Sequence, residues 1–378
     1  MSLLHSTSPS RLHDRGLPPI TVTLGPHRHY PIHFRPLGEV PTLMAAAGLR
    51  RGRCLIVTDD HVGPLYADRL EQALLGAGWS PRRYTVPAGE STKSLPHLQK
   101  IYDVALSWGI DRRTPVIALG GGVVGDLAGF AAATLLRGLP LVQLPTSLIA
   151  QVDSAIGGKT GINHVVGKNL IGAFHQPALV CADPETLATL PPREWTSGLA
   201  EAVKHAFIAD ADLLAYVEQH MPAILERDPS VTHPLICRAA AIKAAVVGED
   251  EREAGRRAIL NFGHTFGHAI ERVAGYGVFT HGEAVALGMR AALYLSRCLH
   301  PDLPLERADR LLRQIPVQGR LADLPIPALM QAMHADKKVD GRTLRFVVLR
   351  RLGEAYVTAD VSHDDVEAAW LFARGELD

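Results

Sequence analysis

Two histidines four residues apart, His264 and His268 in NFGHTFGHAIE, are the first residues here whose spacing suggests chemistry. On a helix an i,i+4 pair shares one face, so the two imidazoles can converge. His281 follows after a glycine-bearing connection, at the start of HGEAVALGM, and Glu283 lies just beyond it. Histidines with a carboxylate and no thiolate suit a catalytic-type zinc centre that keeps one position open. A lone histidine is more often a core residue, but three of them among Gly263, Gly267 and Gly282 favour ligands. Upstream, GLAEAVKHAFIAD places Glu201, Lys204 and His205 at i, i+3 and i+4. Such a set is commonly a surface ion pair. The flanking apolar Leu199, Val203, Phe207 and Ile208 leave open the alternative of a face turned into a cleft, where its carboxylate could meet a metal.

Anion chemistry is concentrated in QVDSAIGGKTGINHVVGKNLIG, which packs Asp153, Gly157, Gly158, Lys159, Thr160, Asn163, Lys168 and Asn169 into one short stretch. Lysines among glycines and amides can cradle a phosphate or carboxylate; the plain alternative is a solvated polar loop. A second phosphate signal is ALGGGVVGDLAGF. A strand runs into Gly120, Gly121 and Gly122, and Gly125 and Asp126 follow at the start of a helix. The spacing satisfies Gly-x-Gly-x-x-Gly, yet the acid expected about 20 residues on is missing. Asp59, at the end of the earlier run CLIVT, is the substitute candidate. Lys243 and the Lys337–Lys338 pair could be solvated charges or could reach a ligand.

These residues need elements to position them. Apolar runs at 20–24, 54–58, 82–87, 115–120 and 141–145 read as strands, with helical stretches near 70–78 and 97–108 between them. That alternation predicts an α/β N-terminal domain with a Rossmann-like parallel sheet. Beyond about residue 190, Ala, Leu, Glu and Arg recur at helical spacing, predicting an all-α C-terminal domain interrupted by one strand-like run at 344–351. The expected layout is a leader over 1–18, an α/β domain over 19–190 and a helical domain over 191–378.

Bulk properties exclude several classes. With 39 basic and 39 acidic residues the net charge is zero, so there is no global field for nucleic acid. No run reaches the roughly 18 uninterrupted apolar residues of a membrane span. Cys54, Cys181, Cys237 and Cys298 are far apart, which argues against a thiolate zinc site or a disulfide framework and for buried apolar thiols in a reducing cytoplasm.

Taken in order, GGGVVGD, DSAIGGKTGIN with GKN, GLAEAVK, and NFGHTFGHA with HGEAV resemble the 3-dehydroquinate synthase family of the shikimate pathway, from about residue 20 to the C-terminus. The resemblance implies a usually homodimeric lyase with an NAD-binding α/β domain, a helical domain and an active site in the cleft. It implies zinc, replaceable by cobalt, on Glu201, His264 and His281, with His268 beside the substrate. It assigns NAD to Asp59, Glu90, Lys93, Gly121, Gly122, Val123, Asp126, Thr146, Ser147, Lys168, Thr189, Leu190 and Glu194. Substrate would meet Asp153, Lys159, Asn169, Lys204, Lys243, Arg257, Asn261, His268 and one of Lys337 and Lys338, and Arg137 would reach the neighbouring subunit's phosphate site. The implied reaction converts 3-deoxy-D-arabino-heptulosonate 7-phosphate to 3-dehydroquinate and phosphate. It proceeds by transient oxidation, elimination, re-reduction and aldol closure, with NAD regenerated each turnover. Valiolone- or inosose-forming cyclases, glycerol-dehydrogenase-like oxidoreductases and a non-enzymatic NAD- or metal-binding module are the competing readings.

Overall fold

Strands that alternate with helices bury both faces, and their residues are apolar on both. The computed structural model describes residues 19–275, 277–340 and 344–377, without the side chains of 334–340. The expected leader over 1–18 and the side chains of Lys337 and Lys338 therefore lie outside the described residues. The chain forms two compact units: residues up to Thr146 with Gly157–Ala188, and Ser147–Ile156 with everything from Thr189. The boundary is thus not one cut near 190. The short segment carrying Asp153 packs with the helical unit.

The first unit contains β1 (Ile20–Thr23), β2 (His29–Phe34), α1 (Val40–Ala46), β3 (Arg53–Asp59), α2 (Gly63–Gly76), β4 (Ser80–Val86), α3 (Leu95–Ser107), β5 (Val116–Gly120), α4 (Gly122–Thr134), β6 (Leu141–Pro145), β7 (Lys159–His164), β8 (Gly167–Phe174) and β9 (Leu179–Ala182). Seven strands form one sheet in the order β1-β2-β9-β6-β5-β3-β4, parallel except for the β1–β2 pair. Along β3, Leu55 and Val57 pack into the core that holds α3 and α4, while Cys54 and Ile56 face the core of α1 and α2. The strands β2 and β9 were not expected. β2 contains Pro31, which reads as a strand breaker, and β9 is only four residues long. The polar 159–174 segment is a two-stranded antiparallel hairpin rather than a loop. Its strands approach closely at glycine: a Cβ at Gly172 would lie 2.1 Å from the Thr160 carbonyl oxygen.

The second unit contains α5 (Pro192–Ala209), α6 (Ala211–Leu225), α7 (Pro229–Glu249), α8 (His264–Ala274), α9 (His281–Leu299), α10 (Leu305–Leu312), α11 (Ile326–Asp340), β10 (Phe346–Arg351), β11 (Glu354–Thr358) and α12 (His363–Arg374). It is mostly helical rather than all-α, because the 344–351 run forms an antiparallel hairpin with β11. α7 is long and apolar enough to cross a membrane by length and composition, with 56% of its apolar window buried in the protein. It also carries Lys243 in a buried ion pair, and core helices meet the same test. Of the cysteines, Cys54 and Cys181 are buried as expected, Cys237 is half-buried and Cys298 is exposed; all four are free thiols.

Small residues let α5, α8 and α9 close on one another. A Cβ at Gly282 would lie 2.1 Å from the Ser197 carbonyl oxygen of α5, and one at Gly288 would lie 2.2 Å from the Gly263 carbonyl before α8. A Cβ at Gly198 would lie 2.5 Å from the Ile149 amide nitrogen and from Leu148 Cβ, which seats the Asp153 segment on α5. Gly282→Ala should therefore destabilise the chain by about 3 kcal/mol, since backbone rather than a rotatable side chain must move. Gly76→Ala, whose new carbon meets nothing within 4 Å, should be neutral or slightly stabilising in the same denaturant titration. Equal stabilities for the two variants would contradict this account of the packing.

Candidate active site

The closeness of these helices brings three donors together. Glu201 sits in the middle of α5, while His264 and His281 are the first residues of α8 and α9. Glu201 Oε1 lies 3.6 Å from Nε2 of each histidine, and one donor atom from each of the three residues falls within 4.8 Å of the others. Ligands on a tetrahedral zinc with bonds of roughly 2.1 Å stand about 3.4 Å apart. Glu201 Oε1 is buried and has no hydrogen-bond partner among the described residues. That would be costly unless a cation completes it.

The outer ring nitrogens are engaged. His264 Nδ1 is 3.2 Å from the Phe262 carbonyl oxygen, and His281 Nδ1 is 3.1 Å from Glu271 Oε2. Each contact turns Nε2 toward Glu201, the usual support of a metal-bound imidazole. Burial, and then the Lys204 ammonium, hold His264 well below the ordinary histidine range, so it is neutral and able to donate a lone pair. Burial alone would also lower His281, but the hydrogen bond to Glu271 and the carboxylates of Glu201 and Glu271 carry it up. These residues fit a divalent ion. His268, which spacing alone paired with His264, is exposed, with its ring 5.6 Å from that of His264 and 6.0 Å from that of His281. Glu283 is not part of the group: it is buried against Arg193 and the Thr280 amide.

Two other groupings offer metal-type donors, Asp153–Glu201–His205 and His268–Glu271–His281. The first has two ammonium groups on the same carboxylate. The second would take the His281 nitrogen already bonded to Glu271.

A row of alternating charge leads away from Glu201. Lys204 Nζ pairs with Glu201 Oε2 and lies 3.7 Å from Asp153 Oδ1, which also meets Lys243 Nζ at 2.7 Å and His205 Nε2 at 3.3 Å. Burial would raise the Asp153 carboxyl, but Lys243 and Lys204 reverse this and hold it well below its usual range. Lys204 is pushed down by burial and more than restored by Glu201 and Asp153. Lys243 is lowered to about 8 by burial and by its neighbours Lys204 and Arg257, against the pull of Asp153. Arg257 is buried and donates to the Glu251 carbonyl at 2.5 Å, while Asn261 donates to Glu253 at 2.9 Å. Leu190 accepts from Arg227 at 2.7 Å, Thr189 and Glu194 are exposed beside it, and Ser147 is buried.

In the first unit, β3 and β5 are neighbours although β4 intervenes in sequence, so the order of the sheet reverses between them. Ligands of open α/β sheets bind at such switch points. Thr58 pairs with Leu119, which puts Asp59 beside the glycine loop after β5. An acid thus stands at the end of the adjacent strand rather than downstream of the loop. The Gly121 N-cap has no side-chain hydrogen bond, leaving the first amides of α4, from Gly122 and Val123 onward, for an anion. A Cβ at Gly120 would strike Val124 at 2.7 Å, so the turn is cut to glycine size. Thr146 closes on it, donating to the Gly120 carbonyl at 3.0 Å. These residues fit a dinucleotide phosphate.

Beside the loop, Lys93 Nζ pairs with Asp126 at 2.6 Å and with the Asn169 side chain, while Asn163 donates to Glu90 at 2.8 Å. Asn169 has a left-handed backbone (φ 58°) and accepts no role from its neighbours in sequence alone. Lys159 is exposed on the same hairpin and Lys168 is half-buried. Arg137, also exposed, follows Leu136, and both have left-handed backbone (φ 68° and 49°). Sequence reasoning did not single out Glu271 or Arg193. The HxxE spacing of His268 and Glu271 on α8 was the available signal for the first.

Sequence models of 3-dehydroquinate synthase match here in both parts, the N-terminal one over residues 83–197 and the C-terminal one over 198–339. The chain belongs to the 3-dehydroquinate synthase family. It is 60% identical to 3-dehydroquinate synthase of Salinibacter ruber over 92% of this chain and 95% of that one. Among solved structures it resembles 2-epi-5-epi-valiolone synthase of Streptomyces hygroscopicus with NAD⁺ and Zn²⁺ bound (TM-score 0.82, 29% identity, 94% of this chain and 99% of that one). It also resembles 2-deoxy-scyllo-inosose synthase complexed with carbaglucose-6-phosphate, NAD⁺ and Co²⁺ (TM-score 0.79, 26% identity, 95% and 100% covered). Membership of the 3-dehydroquinate synthase family thus carries a far higher identity than the likeness to the two other cyclases.

After zinc loading and desalting, metal analysis should find about one equivalent in the native chain and in His268→Ala. It should find almost none in His264→Ala or Glu201→Gln. A full equivalent retained by His264→Ala would reassign the centre.

Proposed function

We propose that this chain converts 3-deoxy-D-arabino-heptulosonate 7-phosphate to 3-dehydroquinate and phosphate, using NAD and a zinc ion for which cobalt can substitute. The observation that carries the reading is the orphaned Glu201 oxygen facing the inner nitrogens of His264 and His281. When bound, NAD supplies a reversible hydride acceptor and the metal a Lewis acid for the hydroxyl being oxidised. Glu201, His264 and His281 would hold the metal. Asp59, Glu90, Lys93, Gly121, Gly122, Val123, Asp126, Thr146, Ser147, Lys168, Thr189, Leu190 and Glu194 would hold the dinucleotide.

The chain's own groups have separable tasks. Asp153, kept ionised by Lys243 and Lys204, can accept a hydrogen bond or a proton from a substrate hydroxyl. Lys204 neutralises Glu201 Oε2 and leaves Oε1 for the ion. Lys243 and Arg257 bring positive charge for the substrate's anionic groups, Asn261 and His268 offer polar contacts, and Lys159 and Asn169 serve the phosphate. Positive charge held in place favours departure of a phosphate dianion without reorganisation.

We propose further that the enzyme is a homodimer, in which Arg137 serves the phosphate site of the other copy. The bulky residue's left-handed backbone costs of order 1 kcal/mol and so suggests a retained task. A cytoplasmic location agrees with the exposed free thiol of Cys298. Dimers mixed from Arg137→Ala and Lys243→Ala chains should regain part of the activity that each lacks alone.

With the heptulosonate phosphate and a trace of NAD, phosphate release should far exceed the NAD present, with no accumulation of NADH. Stoichiometric NADH would instead make the chain a dehydrogenase. The Lys243 ammonium is charged below about 8, so kcat/KM should fall roughly tenfold per pH unit above that value. Lys243→Arg, which does not titrate there, should remove this limb. An unchanged limb would detach Lys243 from substrate binding.

A further inference from the structure

His281 is the first residue of α9 and follows a turn whose glycines, Gly275 and Gly277, take left-handed backbone (φ 83° and 96°). A glycine turn samples many conformations, so a metal donor at its end needs an external hold. Phe279 gives the turn one buried apolar anchor. The polar hold is Glu283, which is fully buried. Its carboxylate accepts from Arg193 Nη2 at 2.7 Å and Nε at 3.0 Å, from the Thr280 amide at 2.7 Å and from the Gln318 amide at 3.3 Å. Arg193 Nη2 also donates to the Val278 carbonyl oxygen. One guanidinium therefore grips the chain on both sides of His281.

Arg193 stands in the first turn of α5, the helix that also carries Glu201. We propose that Arg193 and Glu283 form a clamp that positions His281 against Glu201, setting the span between two metal donors. The inference rests on the reading that Glu201, His264 and His281 hold the ion. A guanidinium suits the task because its planar fork meets the carboxylate in two-pronged fashion and still reaches a carbonyl, which a lysine cannot do. Glu271 orients the His281 ring; Arg193 and Glu283 fix its backbone. They are positioning residues, and neither is among the donors that face Glu201 Oε1.

The test measures zinc affinity of the full-length chain by chelator competition and records the visible spectrum of the cobalt-loaded form. Arg193→Lys keeps the charge but not the double grip. The pair Arg193→Leu with Glu283→Gln removes both charges, so the buried carboxylate is not left unpaired if the single variant fails to fold. Both should bind zinc 10- to 100-fold more weakly than the native chain, the range for lost outer support of a metal ligand. Both should also shift the cobalt bands. A folded variant with zinc affinity within twofold of native and an unaltered cobalt spectrum overturns the clamp, whatever its thermal midpoint. If the native chain itself binds no zinc, or His264→Ala binds as tightly as native, the metal reading fails instead.

Discussion

Close approach of α5, α8 and α9 at glycine is the constraint on which the rest of the second unit depends. Packed helices ordinarily stand 8–10 Å apart. Here the backbones that carry Glu201, His264 and His281 come closer than side chains usually allow. Gly282 against Ser197, and Gly288 against Gly263, provide that approach, because any Cβ there would overlap a carbonyl oxygen. The same device seats the Asp153 segment on α5 through Gly198. Placing two of the three donors at helix starts adds to the effect, since a first-turn residue has its ring free of the helix body and its backbone open to capping.

The first unit solves a different problem by sheet order. A dinucleotide needs a phosphate cradle and an acid for a ribose within a few ångströms. In the familiar fingerprint both come from consecutive strands. Here the cradle follows β5 while Asp59 ends β3, some sixty residues earlier. Parallel pairing of β3 with β5 restores the neighbourhood. Asp59 Oδ1 also accepts the amides of His61 and Val62 at 2.9 and 2.8 Å, which fixes the carboxylate at the strand end.

Much of this was legible in the sequence, for physical reasons that differ by element. Continuous apolar runs announced β3, β5 and β6 because both of their faces are covered. β2 and β9 escaped because proline and shortness hide a strand whose partners come from far along the chain. Glycine and asparagine, which are depleted in strands, hid the pairing of the 159–174 segment, yet here glycine is what lets β7 and β8 lie together. Spacing found the histidines but could not choose between His268 and His281, since the choice depends on where α5 crosses α8. Likewise Glu283 has the composition of a ligand and the position of a cap. Only the ion pair of the buried Glu283 with Arg193 distinguishes the two.

Charge balance explains why these pieces belong together. Lys243, Asp153, Lys204 and Glu201 alternate in sign and cancel, which is how charges remain tolerable in a poorly solvated site. His264 is held neutral and adds no charge to the row. A divalent ion on Glu201 would leave the group net positive, with the surplus concentrated at one end. An acid bearing both carboxylate and phosphate would be drawn to that surplus, and attraction is stronger in a low-dielectric site than in water. A neutral polyol would gain much less. The arrangement therefore discriminates by ligand charge as well as by metal chemistry, and it does so through pairs that cost little while the site is empty of substrate.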